Sequence, residues 1–189
     1  RRMQAELGAP QPDAPRYRAV TGICTAGRHG AAANGDRGAC FPGPRNDYYV
    51  LLCDGMGSGP GAGRESSLAV RLLEQFLMAG VETGHALATL NSALALRGEE
   101  EGGFTTVDLL QVDLFTGEGA VYKLGAAPTY VRRGSSVRRI AGSSLPAGLA
   151  PSEHAVPDHT RLRLEAGDCV LMVSDGIAGT GDDAWVRER

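Results

Sequence analysis

Tyr48-Tyr49-Val50-Leu51-Leu52-Cys53-Asp54-Gly55 is a run of aromatic, β-branched and apolar residues that ends in a carboxylate and a glycine. Such a run, bounded by turn-forming residues such as Asn46, reads as a strand over 47–53. An Asp-Gly pair after a strand commonly turns a hairpin, but here Met56-Gly57-Ser58-Gly59-Pro60-Gly61-Ala62-Gly63 follows instead. Ala62, Leu68, Leu72, Leu73, Phe76 and Leu77 then recur at helical spacing, which predicts a helix over 60–79 with Pro60 in its first turn and Gly80 as its stop. A strand that runs through a glycine-rich link into a helix makes Asp54 a strand-end carboxylate, not a hairpin tip.

Outward from this unit, Thr83 is placed to cap a second helix that buries Leu87, Leu90 and Leu94 and ends before Gly98. Upstream, 17–24 reads as a strand. After Gly103 the pattern changes to period two, predicting strands over 105–115, 118–123, 129–133, 137–140, 161–164 and 168–174. Thr116-Gly117, Arg133-Gly134 and Ala166-Gly167 supply the turns of an antiparallel meander. Strands grouped apart from helices define an α+β fold, and sheets of this size need both faces covered. Two packed antiparallel sheets flanked by helices satisfy that need.

The chain has 189 residues, 42% hydrophobic and 22% charged, enough for one domain with a continuous core. With 19 basic against 22 acidic side chains the net charge is −3, and the basic residues are scattered, which argues against a nucleic-acid surface. No apolar run approaches the roughly 18 to 20 residues that span a bilayer. The chain begins at Arg1 without a signal segment, and 1–16, with Pro10, Pro12 and Pro15, reads as a linker ahead of a domain over 17–189. A larger parent protein is implied. Cys24, Cys40, Cys53 and Cys169 form no C-x-x-C pair; they read as reduced core residues, with Cys53 and Cys169 inside apolar strands. His154 and His159 have no cysteine at zinc-site spacing and read as surface-loop residues.

The strand-Asp-Gly grammar occurs twice, because Cys169-Val170-Leu171-Met172-Val173-Ser174 ends in Asp175-Gly176. A third acid, Asp36, follows Asn34-Gly35 in a loop just before the first of these strands. If the strand ends are neighbours, three carboxylates converge. Ionised carboxylates gathered at a partly desolvated mouth repel unless a cation compensates them, and hard oxygen ligands select Mg2+ or Mn2+. For either pair alone, a solvated turn aspartate is the plainer account. A phosphate cradle is the rival for the glycine-rich stretch, but no register fits G-x-G-x-x-G, and the single lysine, Lys123, lies on a strand. No G-x-S-x-G is present for acyl transfer through serine. Asp108 is expected to face solvent or the helices, Asp113 a turn, and Lys123 to be a solvated or paired surface group. Arg132, Arg133, Arg138 and Arg139 read as a charged, solvated hairpin edge.

Asn34-Gly35-Asp36, Cys53-Asp54-Gly55-Met56-Gly57-Ser58-Gly59, Phe104-Thr105-Thr106-Val107-Asp108-Leu109, Lys123-Leu124-Gly125-Ala126-Ala127-Pro128, Ser144-Leu145-Pro146-Ala147-Gly148 and Val173-Ser174-Asp175-Gly176-Ile177 appear in that order. Together they resemble the phosphatase domain of stage II sporulation protein E, one of the metal-dependent serine/threonine protein phosphatases of type 2C. The resemblance runs from about Tyr17 to Trp185. It implies a four-layer sandwich of helices, two sheets and helices. It also implies that Asp54 bridges two Mn2+ or Mg2+ ions, that the Gly55 carbonyl binds one and Asp175 the other, and that Asp36 acts at the first or through its waters. A hydroxide bridging the ions would attack a phosphoserine or phosphothreonine of a protein. The implied substrate is a phosphorylated anti-anti-sigma-factor-like protein, whose dephosphorylation frees a sporulation sigma factor. The two predicted helices would form a switch that governs metal occupancy.

The resemblance further implies a cytoplasmic domain that itself contacts no membrane, within a membrane-anchored parent. Members of the family end in a further helix and a strand whose Asp-Asp-Met-Thr or Asp-Asn-Met-Thr motif completes one metal site. Asp182 and Asp183 do not match that motif, so the expectation for this polypeptide is a domain lacking that C-terminal helix and strand, with weak metal affinity and little turnover. The alternative is a noncatalytic regulatory module that keeps the fold for partner binding.

Overall fold

The computed structural model describes residues 14–26, 34–55, 60–97, 103–149, 156–178 and 186. Side chains alternate along β2 (Asp47–Gly55), where Tyr49, Leu51 and Cys53 are buried on one face and Val50 packs into a separate cluster on the other. A strand that is apolar on both faces belongs between two layers. It pairs with β1 (Asp36–Pro42) on one side and β3 (Thr105–Asp113) on the other. With β4 (Glu118–Leu124) and β7 (Asp158–Arg163) these form a five-stranded sheet in the order β1-β2-β3-β4-β7. A second, three-stranded sheet has the order β6-β5-β8, from β5 (Thr129–Arg133), β6 (Ser136–Ile140) and β8 (Cys169–Met172). All of these pairings are antiparallel.

Helices α1 (Pro60–Met78) and α2 (Thr83–Ala95) cover the outer face of the first sheet. Leu73, Leu77, Leu87, Leu90 and Leu94 are almost fully buried against Leu51, Val107 and Leu109, and each such side chain contributes about 1.5–3 kcal/mol. Between the sheets lie Leu110, Val121 and Ile140 with Val50, Val131 and Met172. On the far face of the second sheet, Tyr130 and Val173 pack with Ala178 of the short helix α3 (Asp175–Ala178). The molecule is thus α+β, two packed antiparallel sheets with helices outside them. No described helix is long and apolar enough to cross a membrane.

Several expectations change. The stretch 17–24 is not a strand: Tyr17 N–H donates to Leu114 O at 2.8 Å, but no ladder follows, and β1, which the sequence presents as a loop, takes the place beside β2. Glu82, not Thr83, caps α2 by accepting from His85 N–H. Thr83 is instead buried and donates to Gln111 Oε1 at 2.7 Å. The meander also breaks after β4. Gly125, at φ 63°, and Pro128, which has no N–H to donate, carry the chain to the second sheet, so β4 pairs with the later β7. Cys53 is buried, but Cys24, Cys40 and Cys169 are exposed, and all four thiols are free. His159 lies within β7 and stacks on Tyr122 at 4.6 Å, while His154 falls outside the described residues.

Candidate functional site

The β1–β2 register sets Asp36, the first residue of β1, directly opposite Asp54, the penultimate residue of β2. Asp175 reaches the same place from the other sheet. β8 ends at Met172, Val173 and Ser174 continue the chain, and Asp175 opens α3, so it sits at a helix start and not at a strand end. Ser174 Oγ donates to Asp36 Oδ2 at 2.9 Å, which joins the two sheet ends across 138 positions of sequence. The Asp36 and Asp175 carboxyls both act on that of Asp54. Burial first, then the Asp36 carboxylate and then that of Asp175, push the Asp54 carboxyl from 3.8 up to about 7. The three carboxylates line one cleft of about 1360 Å³, together with Val50 and Leu110 of the first sheet and Val170 and Met172 of the second.

Backbone geometry supports the cluster. Gly55 ends β2, and its N–H donates to Gly35 O at 3.2 Å, which ties the loop before Asp36 to the residue after Asp54. Asp54 N–H donates to Thr106 Oγ1 at 3.1 Å, and Thr105 Oγ1 donates to Asp54 O at 2.8 Å. Asp36 N–H donates to the Asn34 side chain. Arg37 Nη1 donates to Asn34 O at 2.8 Å and Asp36 O at 2.6 Å, and its Nε reaches Ser67 Oγ on α1 at 3.1 Å. The first strand of the site is thereby fastened to the helix layer.

The fold brings together Asp36, Asp54, Gly55 and Asp175, the residues expected from the sequence. Ser174, Arg37, Thr105 and Thr106 support the site without being expected there; the adjacent Thr105-Thr106 pair is a signal in the sequence, but its partner strand is not. Asp108 and Lys123 are corrected. Both face the second sheet at 1% exposure, Lys123 Nζ stands 2.9 Å from Asp108 Oδ2, and Thr129 Oγ1 of β5 bonds to each. Opposed positions in the β3–β4 ladder put them on one face, where neither reaches solvent. In the basic hairpin, Arg133 is engaged with Asp168 and Glu165. Met56 to Gly59, Asp182 and Asp183 lie outside the described residues.

Among the described residues, no three His, Cys, Asp or Glu side chains already stand in the geometry of a metal cage. The aspartates form an acidic cluster instead. Its donor set nevertheless fits hard divalent cations, because it is all oxygen and because burial and then the neighbouring carboxylates raise the Asp54 carboxyl, penalties on its charge that such cations relieve.

Residues 44–188 match the family model of stage II sporulation protein E (SpoIIE). Stage II sporulation protein E of Bacillus subtilis (strain 168) is 33% identical over 201 residues, covering 99% of this chain and 24% of that protein. The protein of the same name from Priestia megaterium is 34% identical over 161 residues, covering 85% of this chain and 27% of its own length. The chain therefore spans about a quarter of the curated relatives it matches. A solved structure of the PP2C phosphatase domain and a fragment of the regulatory domain of SpoIIE from Bacillus subtilis superposes with a TM-score of 0.82 at 31% identity, over 93% of this chain and 52% of that one.

Proposed function

The chain belongs to the stage II sporulation protein E family of PP2C-type phosphatases, and from that premise we propose that it removes phosphate from phosphoserine or phosphothreonine of a protein with the help of Mn2+ or Mg2+. The observation that supports this most is the meeting of Asp36, Asp54 and Asp175, which are far apart in sequence, in the lining of one cleft. Asp54 would hold two ions, with Asp36 and the Gly55 carbonyl at one and Asp175 at the other. Bound ions of this kind screen a phosphate's charge and lower the pKa of water.

The chain's own residues do the positioning. The β1–β2 register holds Asp36 and Asp54 face to face, the Ser174 hydroxyl orients Asp36 Oδ2, and Arg37 keeps the Asn34–Asp36 segment against α1. The substrate in this reading is a phosphorylated anti-anti-sigma-factor-like protein, whose dephosphorylation would release a sigma factor.

Phosphate release from such a phosphoprotein, measured with Mn2+, with Mg2+ and with a chelator, tests the proposal. Release that requires a divalent ion is expected. Equal release in chelator, or none from a folded chain that binds Mn2+, would overturn it, and the second outcome would favour a partner-binding module.

A further inference from the structure

We infer that the hydroxyls of Thr105 and Thr106 are the groups that position Asp54, as residues acting through it without touching substrate or ions. Asp54 lies opposite Thr106 in the β2–β3 ladder, and each of its backbone polar groups makes a further bond to a threonine hydroxyl of that strand. Thr106 Oγ1 accepts from Asp54 N–H at 3.1 Å, and Thr105 Oγ1 donates to Asp54 O at 2.8 Å. The first bond restrains the chain before the Asp54 Cα and the second restrains it after, so the direction of the side chain relative to β3 is set from both sides. The Asp54–Gly55 peptide is gripped at its other edge as well, because Gly55 N–H donates to Gly35 O at 3.2 Å. Rotation of that peptide would therefore disturb the segment that carries Asp36 together with Asp54.

Thr105 can serve as an anchor because it is itself immobilised. It has no exposed surface, and it exchanges two backbone bonds with Ala147, at 3.1 and 2.9 Å. The next residue, Gly148, donates its N–H to Asn91 Oδ1 of α2 at 2.8 Å. Valine has threonine's shape without a hydroxyl proton. Thr105→Val would remove the hydroxyl bond to the Asp54 carbonyl, at the residue whose carboxylate needs the closest placement.

This inference rests on the metal-dependent reading above, so the test carries one readout that needs no metal. Thr105→Val and Thr105→Ser are compared with wild type and with Val121→Ala, a core truncation between the sheets that lowers stability away from the acidic cluster. Mn2+ affinity by calorimetry is expected to fall about tenfold or more in Thr105→Val, and to stay near wild type in Thr105→Ser and Val121→Ala. In metal-free protein, hydrogen exchange at the Gly55 amide should accelerate in Thr105→Val beyond the change seen in Val121→Ala. Should Thr105→Val not fold, Thr106→Val is read in its place. Unchanged Mn2+ affinity with Gly55 protected as in wild type would overturn the positioning role. A wild type that binds no Mn2+ would sink the metal reading instead, and the Gly55 amide alone would then decide this one.

Discussion

Lys123 Nζ and Asp108 Oδ2 stand 2.9 Å apart at 1% exposure each, between the two sheets. Burial raises the Asp108 carboxyl and lowers the Lys123 ammonium, so both charges are carried at a cost that their contact and the Thr129 hydroxyl offset. Asp108 Oδ1 has no hydrogen-bond partner among the described residues. Lys123→Met, which strands a buried carboxylate, is expected to lower stability by about 3–5 kcal/mol in urea unfolding. The double variant Asp108→Leu/Lys123→Met should regain most of that loss, since no charge then remains in the interface. A single variant as stable as wild type would show that the pair does not hold the sheets together.

Asp54 makes the metal-free protein sensitive to pH. Its carboxyl is raised from 3.8 to about 7 by burial and by its acidic neighbours, so the folded state binds this proton more tightly than the unfolded state does. That contribution is present below the unfolded value and is lost as pH rises towards 7. Glu82, Asp158 and Asp168 are shifted the other way, chiefly by backbone or side-chain hydrogen bonds, and their contribution disappears only in stronger acid. Melting temperature in chelator should therefore fall from pH 4.5 to pH 7, and Asp54→Asn should flatten that slope. A slope identical in the two proteins would assign the effect elsewhere.

Asp54→Ala should abolish phosphate release while leaving the fold intact, because it removes charge from a crowded acidic cluster, not packing from a core. Circular dichroism and a phosphate assay on the same preparation check this. A variant that unfolds in metal-free buffer would contradict it.

Gly148 sits at φ 95°, and a Cβ there would stand 2.3 Å from Gly103 O. Gly148→Ala should cost about 1–3 kcal/mol in thermal unfolding, because backbone strain and a backbone clash act together. Since Gly148 N–H bonds to Asn91 and adjoins the Ala147–Thr105 bridge, Mn2+ affinity should fall with it.

Thiol labelling under native conditions should modify Cys24, Cys40 and Cys169 and spare Cys53. Cys53 has no exposed surface, and burial raises its thiol further out of the reactive range. Rapid reaction of a fourth thiol would mean that α1 and α2 lift from the sheet under native conditions.

Much of this was readable along the chain. Periodicity located both long helices to within a residue or two, because α1 and α2 each lay one apolar stripe on a sheet. It located most strands of the second half for a similar reason: short alternating runs between Gly and Pro leave few options. It missed β1, whose Arg37-Gly38-Ala39-Cys40 has little strand character and becomes a strand through its partner β2. It also read Cys169 as core, although β8 exposes both Cys169 and Leu171.

The sequence alone determined the α+β class, the family, and which carboxylates stand at the ends of apolar runs, because composition, period and motif order are local properties. Only the tertiary structure decided that Asp36 opposes Asp54, that Asp175 arrives from the other sheet, that two threonines of β3 grip the Asp54 backbone, and that Lys123 is buried. Each of those facts depends on strand register and on which sheet a strand joins. Register and sheet partners are set by the packing of segments distant in sequence, which no single run of residues encodes.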